Sequence, residues 1–233
     1  MRFFSTLTND IRYQIKYGFY LIYMLFSAIY IVGLFLCPPE YRKLAASIII
    51  LTDPAMLGAF FIGGIWLLEK REGLHRYWLI SPLRFFEYIL SKALSLGLIS
   101  ALVAGLIALF GLRGEVHYPL LLSGVFFGSM VFTITGLIMA TYARSVNQYI
   151  LFVTPPIMLL AVPAFLTVFG ISHSVFDIMP GTVMWHLIAV SLDIDDVSLL
   201  RLLVVLALWL AAVLYLAGKR IPTAMEIEGD GKI

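Results

Sequence analysis

Six long apolar runs constrain the fold of this chain more than any other feature. They cover residues 18–37, 44–68, 88–110, 119–142, 149–170 and 198–218. Each run is near the ~20 residues that a helix needs to cross the hydrocarbon core of a bilayer. Backbone amides in hydrocarbon must be hydrogen-bonded within their own segment unless a barrel closes, so long unbroken runs favour helices. We predict an all-α integral membrane protein with six transmembrane helices.

Composition agrees with this fold and leaves no room for a second domain. Hydrophobic residues make up 61% of the chain and charged residues 13%, against about 45–50% and 25% in ordinary soluble domains. No polar stretch between the apolar runs reaches the ~50 residues of a small soluble domain. We therefore treat residues 1–233 as one transmembrane domain, and any chemistry that supplies it with energy must lie on another chain.

The distribution of positive charge predicts the orientation. Six spans place both termini on one side of the membrane, and all but four of the 16 lysine and arginine residues lie on that side. The exceptions are Arg42, Lys43, Arg113 and Arg201. Because lysine and arginine are enriched in cytoplasmic loops, we predict a multi-pass protein of the cytoplasmic (inner) membrane with both termini in the cytoplasm.

Residues 1–16 have the pattern of a helix that lies in the plane of the membrane surface. Phe4, Leu7, Ile11 and Ile15 recur at helical spacing, and polar residues take the other angles. The alternative is a frayed tail before the first span, because the period covers only about four turns.

The connection between the second and third spans, residues 69–82, is the most informative stretch of the chain. Its apolar residues Leu74, Tyr77 and Trp78 fall on one helical face. Its basic residues fall largely on another face: Lys70, Arg71, His75 and Arg76. This pattern predicts a short helix along the membrane surface. The alternative is a solvated basic loop that only satisfies the charge asymmetry of membrane proteins.

Ser81 and Pro82 predict where the third span begins. Serine is a favoured N-cap, and proline is favoured at the first helical position. A helix from Ser81 to Phe110 would be ~45 Å long and would extend beyond the hydrocarbon into the cytoplasm. Such a helix offers a rigid lever to a soluble partner.

Asp53 and Pro54 interrupt the second apolar run. An ionisable residue inside a membrane costs about 2.5–3.5 kcal/mol on insertion scales and is a functional candidate by default. Aspartate before proline is also how a helix starts, so Asp53 could cap a helix from Pro54 after a break in the span. We favour the capping role, because no intramembrane lysine or arginine stands out as a partner for Asp53.

Residues 172–197, before the last span, are too apolar for a free loop and are interrupted by Pro180 and Gly181. A short, broken apolar stretch predicts a re-entrant or interfacial helical hairpin on the outer side. Three aspartates follow within residues 193–196. Since the glycine turn and distal glutamate of a calcium loop are missing, we interpret them as a solvated turn.

Sequence motifs for catalysis and metal binding are missing. The chain has no GxxxxGKS/T phosphate loop, no HExxH and no GxSxG. Its four histidines lie far apart in sequence. We expect no catalytic residue, metal or cofactor on this chain itself.

The run from Asp53 to Lys92 resembles the membrane subunits of type-2 ABC transporters, especially small bacterial drug-export permeases. In that family, an acidic segment with a glycine, followed by Ser/Thr-Pro, marks the coupling helix that docks on an ATPase subunit. The matching residues are Glu69, Glu72, Gly73, Ser81 and Pro82. An amphipathic N-terminal helix, six spans and an outer proline-containing segment extend the resemblance to the whole chain.

The resemblance implies the permease subunit of an ATP-driven exporter. Two permeases, which we expect to be identical copies, would assemble with two nucleotide-binding subunits that hold ATP and Mg²⁺. Glu69 and Glu72 would offer charge to basic residues of the ATPase. Gly73 would permit close approach, and Ser81-Pro82 would fix the restart of the helix. The cargo would be a small amphipathic drug, peptide or lipid-like molecule, and we expect no nucleic-acid partner.

Two other functions remain open. An ion-coupled secondary transporter would use Asp53 as its proton or cation site, although the sequence shows no internal repeat. A membrane enzyme acting on a lipid would combine Asp53 with His173 or His186, but nothing in their spacing positions a substrate.

Overall fold

The computed structural model describes residues 2–52, 56–80, 84–112 and 116–229. Within these residues the chain forms ten α-helices and one short 3-10 turn at Phe176–Ile178, and no strand. The helices are α1 Arg2–Lys16, α2 Phe19–Leu36, α3 Pro39–Thr52, α4 Leu57–Arg71, α5 Leu74–Ile80, α6 Phe85–Gly111, α7 Tyr118–Ala140, α8 Val146–Val168, α9 Pro180–Ser191 and α10 Leu199–Gly229.

Six spans of the described chain are long and apolar enough to cross a membrane: α2, α3 together with α4, α6, α7, α8 and α10. They correspond to the six apolar runs, and the predicted all-α membrane fold is confirmed. Helix α3 ends at Thr52 and α4 begins at Leu57, with Met56 in a turn. Asp53 and Pro54 lie outside the described residues, so the helix break there and both roles considered for Asp53 stay predictions.

Helix α7 lies at the centre of the bundle, where it contacts α4, α6, α8, α9 and α10. Gly136 of α7 allows α4 to pack closely on α7, since a Cβ at this position would lie 2.5 Å from the carbonyl oxygen of Ala59 in α4. Membrane helices commonly associate through small residues in this way, because lipid gives them no hydrophobic drive to associate. Helices α2 and α10 instead expose large apolar side chains along much of their length, as surfaces in contact with lipid do.

Helix α9 packs on α7 and α8, at the end of the bundle opposite to α1 and α5, which we call the outer end after the predicted orientation. Pro180 occupies its first position, and Gly181 lies against the backbone of Leu160 in α8. At the other end of α9, the His117 N–H donates to the Ser191 carbonyl at 2.9 Å. A single helix therefore begins at Pro180, and the re-entrant or interfacial hairpin predicted for residues 172–197 stays a prediction.

The start of α6 differs from the expected one. The helix begins at Phe85 and not at Ser81, because Arg84 has an extended backbone. The Glu87 carboxylate accepts a hydrogen bond from the Arg84 N–H at 2.9 Å, and a glutamate at this third position is a common means of capping a helix start. Ser81 and Pro82 lie outside the described residues, so their own conformation does not enter this correction.

The last helix extends past the predicted membrane span. Helix α10 continues to Gly229, beyond the predicted end of the span at Gly218. Its last turns pack on the bundle, since Arg220 Nε donates to Thr141 Oγ1 at 3.0 Å and the guanidinium lies 4.0 Å from the Tyr142 ring centroid. These contacts place the end of α10 beside the end of α7.

Candidate functional site

Helix α1 turns a polar face toward the protein. Asp10 and Gln14, four residues apart, are buried, whereas Phe4 and Ile15 are exposed. The helix packs on α6 and α2. An exposed apolar face beside a membrane span suits the bilayer interface. The helix predicted for residues 1–16 is present, and its position in the plane of the membrane stays a prediction.

A buried lysine joins three helices at this end of the bundle. The Lys92 ammonium of α6 lies 2.5 Å from Asp10 Oδ1 of α1 and also donates to Glu69 Oε1 of α4. The three side chains are at most 5% exposed. The two bonds join residues 82 and 23 positions apart in sequence, so only the folded bundle brings these charges together. We call Asp10, Glu69 and Lys92 the charge cluster.

Neutral side chains add hydrogen bonds to both carboxylates. Tyr88 donates to Glu69 Oε2 at 2.7 Å, and Ser91 donates to the aspartate of the cluster. Gln14 Nε2 donates to Ser95 Oγ at 2.7 Å, which adds a neutral bond between α1 and α6. Buried charges are tolerated when they are paired and hydrogen-bonded. Removing one partner from such a buried pair typically costs about 3–5 kcal/mol.

His75 anchors α5, and its predicted place on one face with Arg71 and Arg76 is wrong, since of these three residues only the two arginines are exposed. Its side chain is 3% exposed, with Nε2 3.9 Å from Glu69 Oε2 and the ring centroid 4.2 Å from that of Trp66. Tyr77 is 66% exposed. The short helix predicted within residues 69–82 is present as α5, and its position along a membrane surface stays a prediction. Trp66 and the charge cluster form a site for the imidazole that periodicity does not reveal.

The two acidic residues of the connection have different surroundings. Glu69 is buried and paired with Lys92, so it does not fit the expected role of presenting charge to a partner. Glu72 is exposed and accepts hydrogen bonds from Tyr17 and, at 3.2 Å, from Tyr13. Burial, followed by the charge of Glu72, raises the pKa of Tyr13, and the hydrogen bond to Glu72 raises the pKa of Tyr17. Helix α1 is thus linked to the connection in two ways. The buried link runs from Asp10 through Lys92 to Glu69, and the exposed link is the hydrogen bond from Tyr13 to Glu72.

Gly73 ends α4 for a conformational reason. Its φ is +70°, and its N–H donates to the Lys70 carbonyl at 3.1 Å. A positive φ just past a helix end is the usual position of a terminating glycine. A Cβ on Gly73 would meet nothing within 4 Å among the described residues, and the close approach of an ATPase expected at this glycine stays a prediction. The predicted roles of Ser81 and Pro82 fall outside the described residues and stay predictions.

A second polar region lies at the outer end. A cavity of about 770 Å³ there has His117, Asp193 and Asp195 in its wall. His117 Nε2 lies 3.5 Å from Asp193 Oδ1, and His186 Nδ1 lies 2.6 Å from Asp195 Oδ2. Two of the aspartates interpreted as a solvated turn therefore pair with histidines. In the part of the chain that the structure describes, no group of three His, Cys, Asp or Glu side chains could hold a metal ion.

The charge cluster was not predicted from the sequence, although one signal points to it. Lys92 is a charged residue inside the predicted span 88–110, so the premise that no intramembrane lysine or arginine stands out was wrong. Ionisable residues within spans usually have a partner or a function. Its partners cannot be selected from the sequence, because Asp10 lies on the N-terminal helix and Glu69 at the end of another span.

Comparison with known proteins identifies the family. The sequence model of the fluoroquinolones export permease protein family matches residues 1–225. Fluoroquinolones export permease proteins of two Mycobacterium tuberculosis strains are each 26% identical over 162 residues, covering 70% of this chain and 68% of theirs. The inner membrane transport permease YhhJ of Escherichia coli is 30% identical over 105 residues, covering 42% of this chain and 28% of YhhJ. The resemblance to small bacterial drug-export permeases is thereby confirmed, and the chain belongs to the fluoroquinolones export permease protein family.

Proposed function

We propose that this chain is the membrane-spanning subunit of an ATP-driven exporter, in which a separate subunit binds and hydrolyses ATP with Mg²⁺. That subunit docks on the connection between the second and third spans, residues 69–82, which contains α5. Two copies of the chain form the transport path, with their termini in the cytoplasm. The cargo is a small amphipathic molecule. Fluoroquinolones, for which the mycobacterial relatives are named, belong to this class.

The observation that carries the proposal is a short helix anchored on one side and exposed on the other. His75 fixes α5 against the end of α4, whereas Arg71, Glu72, Arg76 and Tyr77 are exposed around it. Arginine and tyrosine are enriched at the energetic centres of protein interfaces. A docking ATPase would therefore meet a positioned surface of charged and aromatic side chains.

The connection also has a direct route into the membrane-spanning helices. Helix α5 contacts α10 as well as α4. Glu69, at the end of α4, is paired with Lys92 of α6. A rigid displacement of α5 would therefore act on three spans together, as rigid-body switching of helices requires. We infer that ATP binding on the partner displaces α5 and opens the bundle alternately to the two sides.

Co-purification tests the partner, and vesicle transport tests the energy source. The tagged chain, extracted from its native membrane in a mild detergent, should retain a stoichiometric subunit with a phosphate-binding loop, identified by mass spectrometry. Uptake of a fluorescent fluoroquinolone into inside-out membrane vesicles should require ATP. It should persist when an ionophore collapses the proton and sodium gradients.

The opposite result would favour the ion-coupled transporter. Uptake that continues without ATP, collapses with the ion gradient and occurs without an ATPase partner would reject the ATP-driven mechanism. The variant Asp53→Asn would then test the intramembrane carboxylate directly. A lysine variant at the outer end, Lys43→Met, is its control, because Lys43 donates only to the Leu192 carbonyl among the described contacts.

A further inference from the structure

We propose that Lys92 is the positioning residue that couples displacement of the connection, residues 69–82, to α1 and to the third span, α6. This role rests on the proposed function, because it concerns how movement of the docked connection reaches the bundle. The charge cluster is the structural basis: one ammonium on α6 holds a carboxylate at the end of α4 and a carboxylate on α1.

The position of the cluster links parts of the fold that are distant in sequence. Helix α1 packs mainly on α6 and α2. Its described contacts with the connection are made by side chains, through Lys92 to Glu69 and through Tyr13 and Tyr17 to Glu72. Lys92 is the only one of these side chains that bonds to both α1 and α4 at once. Movement at the end of α4 is therefore communicated to α1 through this buried ammonium, in addition to the exposed hydrogen bonds to Glu72.

Physical chemistry explains why a charge would be used here. Packed hydrophobic residues of similar volume usually stabilise a buried site as well as an ion cluster does, so a buried cluster is weak evidence of a purely stabilising role. Apolar contacts allow helices to slide, whereas a buried ammonium must keep both carboxylates within hydrogen-bond distance. With Lys92 1% exposed, water cannot replace a lost partner. Separation of one carboxylate would leave an unpaired buried charge, and the three helices are therefore favoured to move together.

The network around the cluster strengthens this constraint. Tyr88, on the first turn of α6, donates to the second oxygen of Glu69, and Ser91 donates to the second oxygen of Asp10. Each carboxylate is therefore bound to α6 by two side chains. His75 Nε2 lies 3.9 Å from the same Glu69 oxygen that accepts from Tyr88. A rotation of α5 would therefore act on the charge cluster through a single side-chain contact, that of His75 with Glu69.

Two variants test the role of Lys92 in the complete transporter. Lys92→Met removes the ammonium but leaves two carboxylates buried, so it risks unfolding. Asp10→Asn leaves the Lys92–Glu69 pair balanced and removes only the ionic link to α1. For both variants we expect the ATPase to co-purify at the wild-type ratio, while ATP-driven uptake per folded complex falls about tenfold, within the usual range of coupling between sites. Lys43→Met is the control and should transport normally.

A distance measurement separates this proposal from the proposed function. Spin labels at exposed Asn9 on α1 and Tyr77 on α5, in a Cys37→Ser background, report the geometry of the isolated chain without an ATPase. The wild-type labels should give one narrow distance distribution, and Asp10→Asn should broaden it. If the wild-type chain has no ATPase partner, the proposed function fails while the distance result still stands.

Two outcomes would overturn the role of Lys92. The first is Asp10→Asn with wild-type uptake per folded complex, since the link to α1 would then be dispensable. The second is an unchanged distance distribution together with loss of the ATPase from the complex, since the residues would then act on docking. Loss of uptake with a broadened distribution and a retained ATPase supports the proposal.

Discussion

Gly181 packs directly on the backbone of Leu160: a Cβ built on the glycine would lie 2.5 Å from the Leu160 carbonyl oxygen. Backbone atoms cannot move aside as the end of a flexible side chain does. Gly181→Ala should therefore push α9 away from α8 and lower the free energy of unfolding by about 1–3 kcal/mol. The thermal unfolding midpoint of the purified protein in detergent measures the loss.

The matched control for this change is Gly33→Ala on α2. A Cβ on Gly33 would meet nothing within 4 Å, and alanine is the better helix former by about 1 kcal/mol. Gly33→Ala should leave the free energy of unfolding unchanged or raise it slightly. If both alanine variants unfold at the same temperature as the wild type, the close packing of α9 on α8 is wrong.

The charge cluster makes a prediction about stability that is independent of transport. Lys92→Met should lower the free energy of unfolding by about 3–5 kcal/mol, because it leaves Asp10 and Glu69 buried without a cation. The triple variant Lys92→Met, Asp10→Asn and Glu69→Gln removes every charge and should recover most of that loss. Denaturant or thermal unfolding of the three proteins gives the comparison. Equal instability of the single and triple variants would show that charge pairing is not what holds the cluster.

The sequence predicted those features that depend on neighbouring residues. Apolar runs of membrane-spanning length identified the six spans, and the interruption predicted at Pro180-Gly181 coincides with the start of α9. The site depends instead on contacts between distant segments. His75 is a basic residue by type, and only the position of Trp66 and Glu69 explains why it is buried. Lys92 could be recognised as unusual within its span, but its bond to Asp10 follows from the packing of α1 on α6, which no local pattern specifies.

Gly73 supplies a test of the end of α4. Its positive φ of +70° is strained for residues with a side chain, by roughly 1–2 kcal/mol. Gly73→Ala should therefore destabilise the connection even though the added methyl group meets no atom within 4 Å. Gly73→Asn should lose less, because asparagine tolerates this conformation. The rate of proteolysis within residues 69–80 measures the effect, and equal rates for the two variants would argue against a conformational role.

The contact between Tyr17 and Glu72 should make the attachment of α1 sensitive to alkaline pH. The hydrogen bond to Glu72 raises the pKa of Tyr17 above its ordinary value of 10.0, because only the protonated hydroxyl donates. The folded state therefore binds this proton more tightly than the unfolded state. The contribution to stability is complete below pH 10 and is lost as the pH rises through the raised pKa.

Tyrosinate absorption of the wild type minus that of Tyr17→Phe isolates this titration. In a Glu72→Gln background the same difference should move to lower pH, because the hydrogen bond to a carboxylate and its negative charge are both gone. Thermal unfolding should show the wild type losing its advantage over Tyr17→Phe only in the alkaline range. A titration of Tyr17 that Glu72→Gln does not move would contradict the contact.

Glu72 also gives the sharpest test of the docking surface. Its carboxylate is exposed beside α5, where a basic side chain of an ATPase could reach it. Glu72→Arg reverses this charge and should reduce co-purification of the ATPase about tenfold or more, since like charges placed together at an interface cost several kcal/mol. The spans themselves should stay folded, because exposed substitutions usually change stability by less than about 0.5 kcal/mol. Quantitative mass spectrometry of the pulled-down complex measures the ratio of the two subunits.

The control must separate the charge of Glu72 from its bonds within the chain. Tyr13→Phe with Tyr17→Phe removes both hydrogen bonds to Glu72 and leaves the carboxylate in place. If the ATPase recognises the charge, this double variant should retain the ATPase while Glu72→Arg loses it. If both lose it to the same extent, Glu72 acts by holding α1 against the connection. Full retention in Glu72→Arg would place the docking contact elsewhere on the chain.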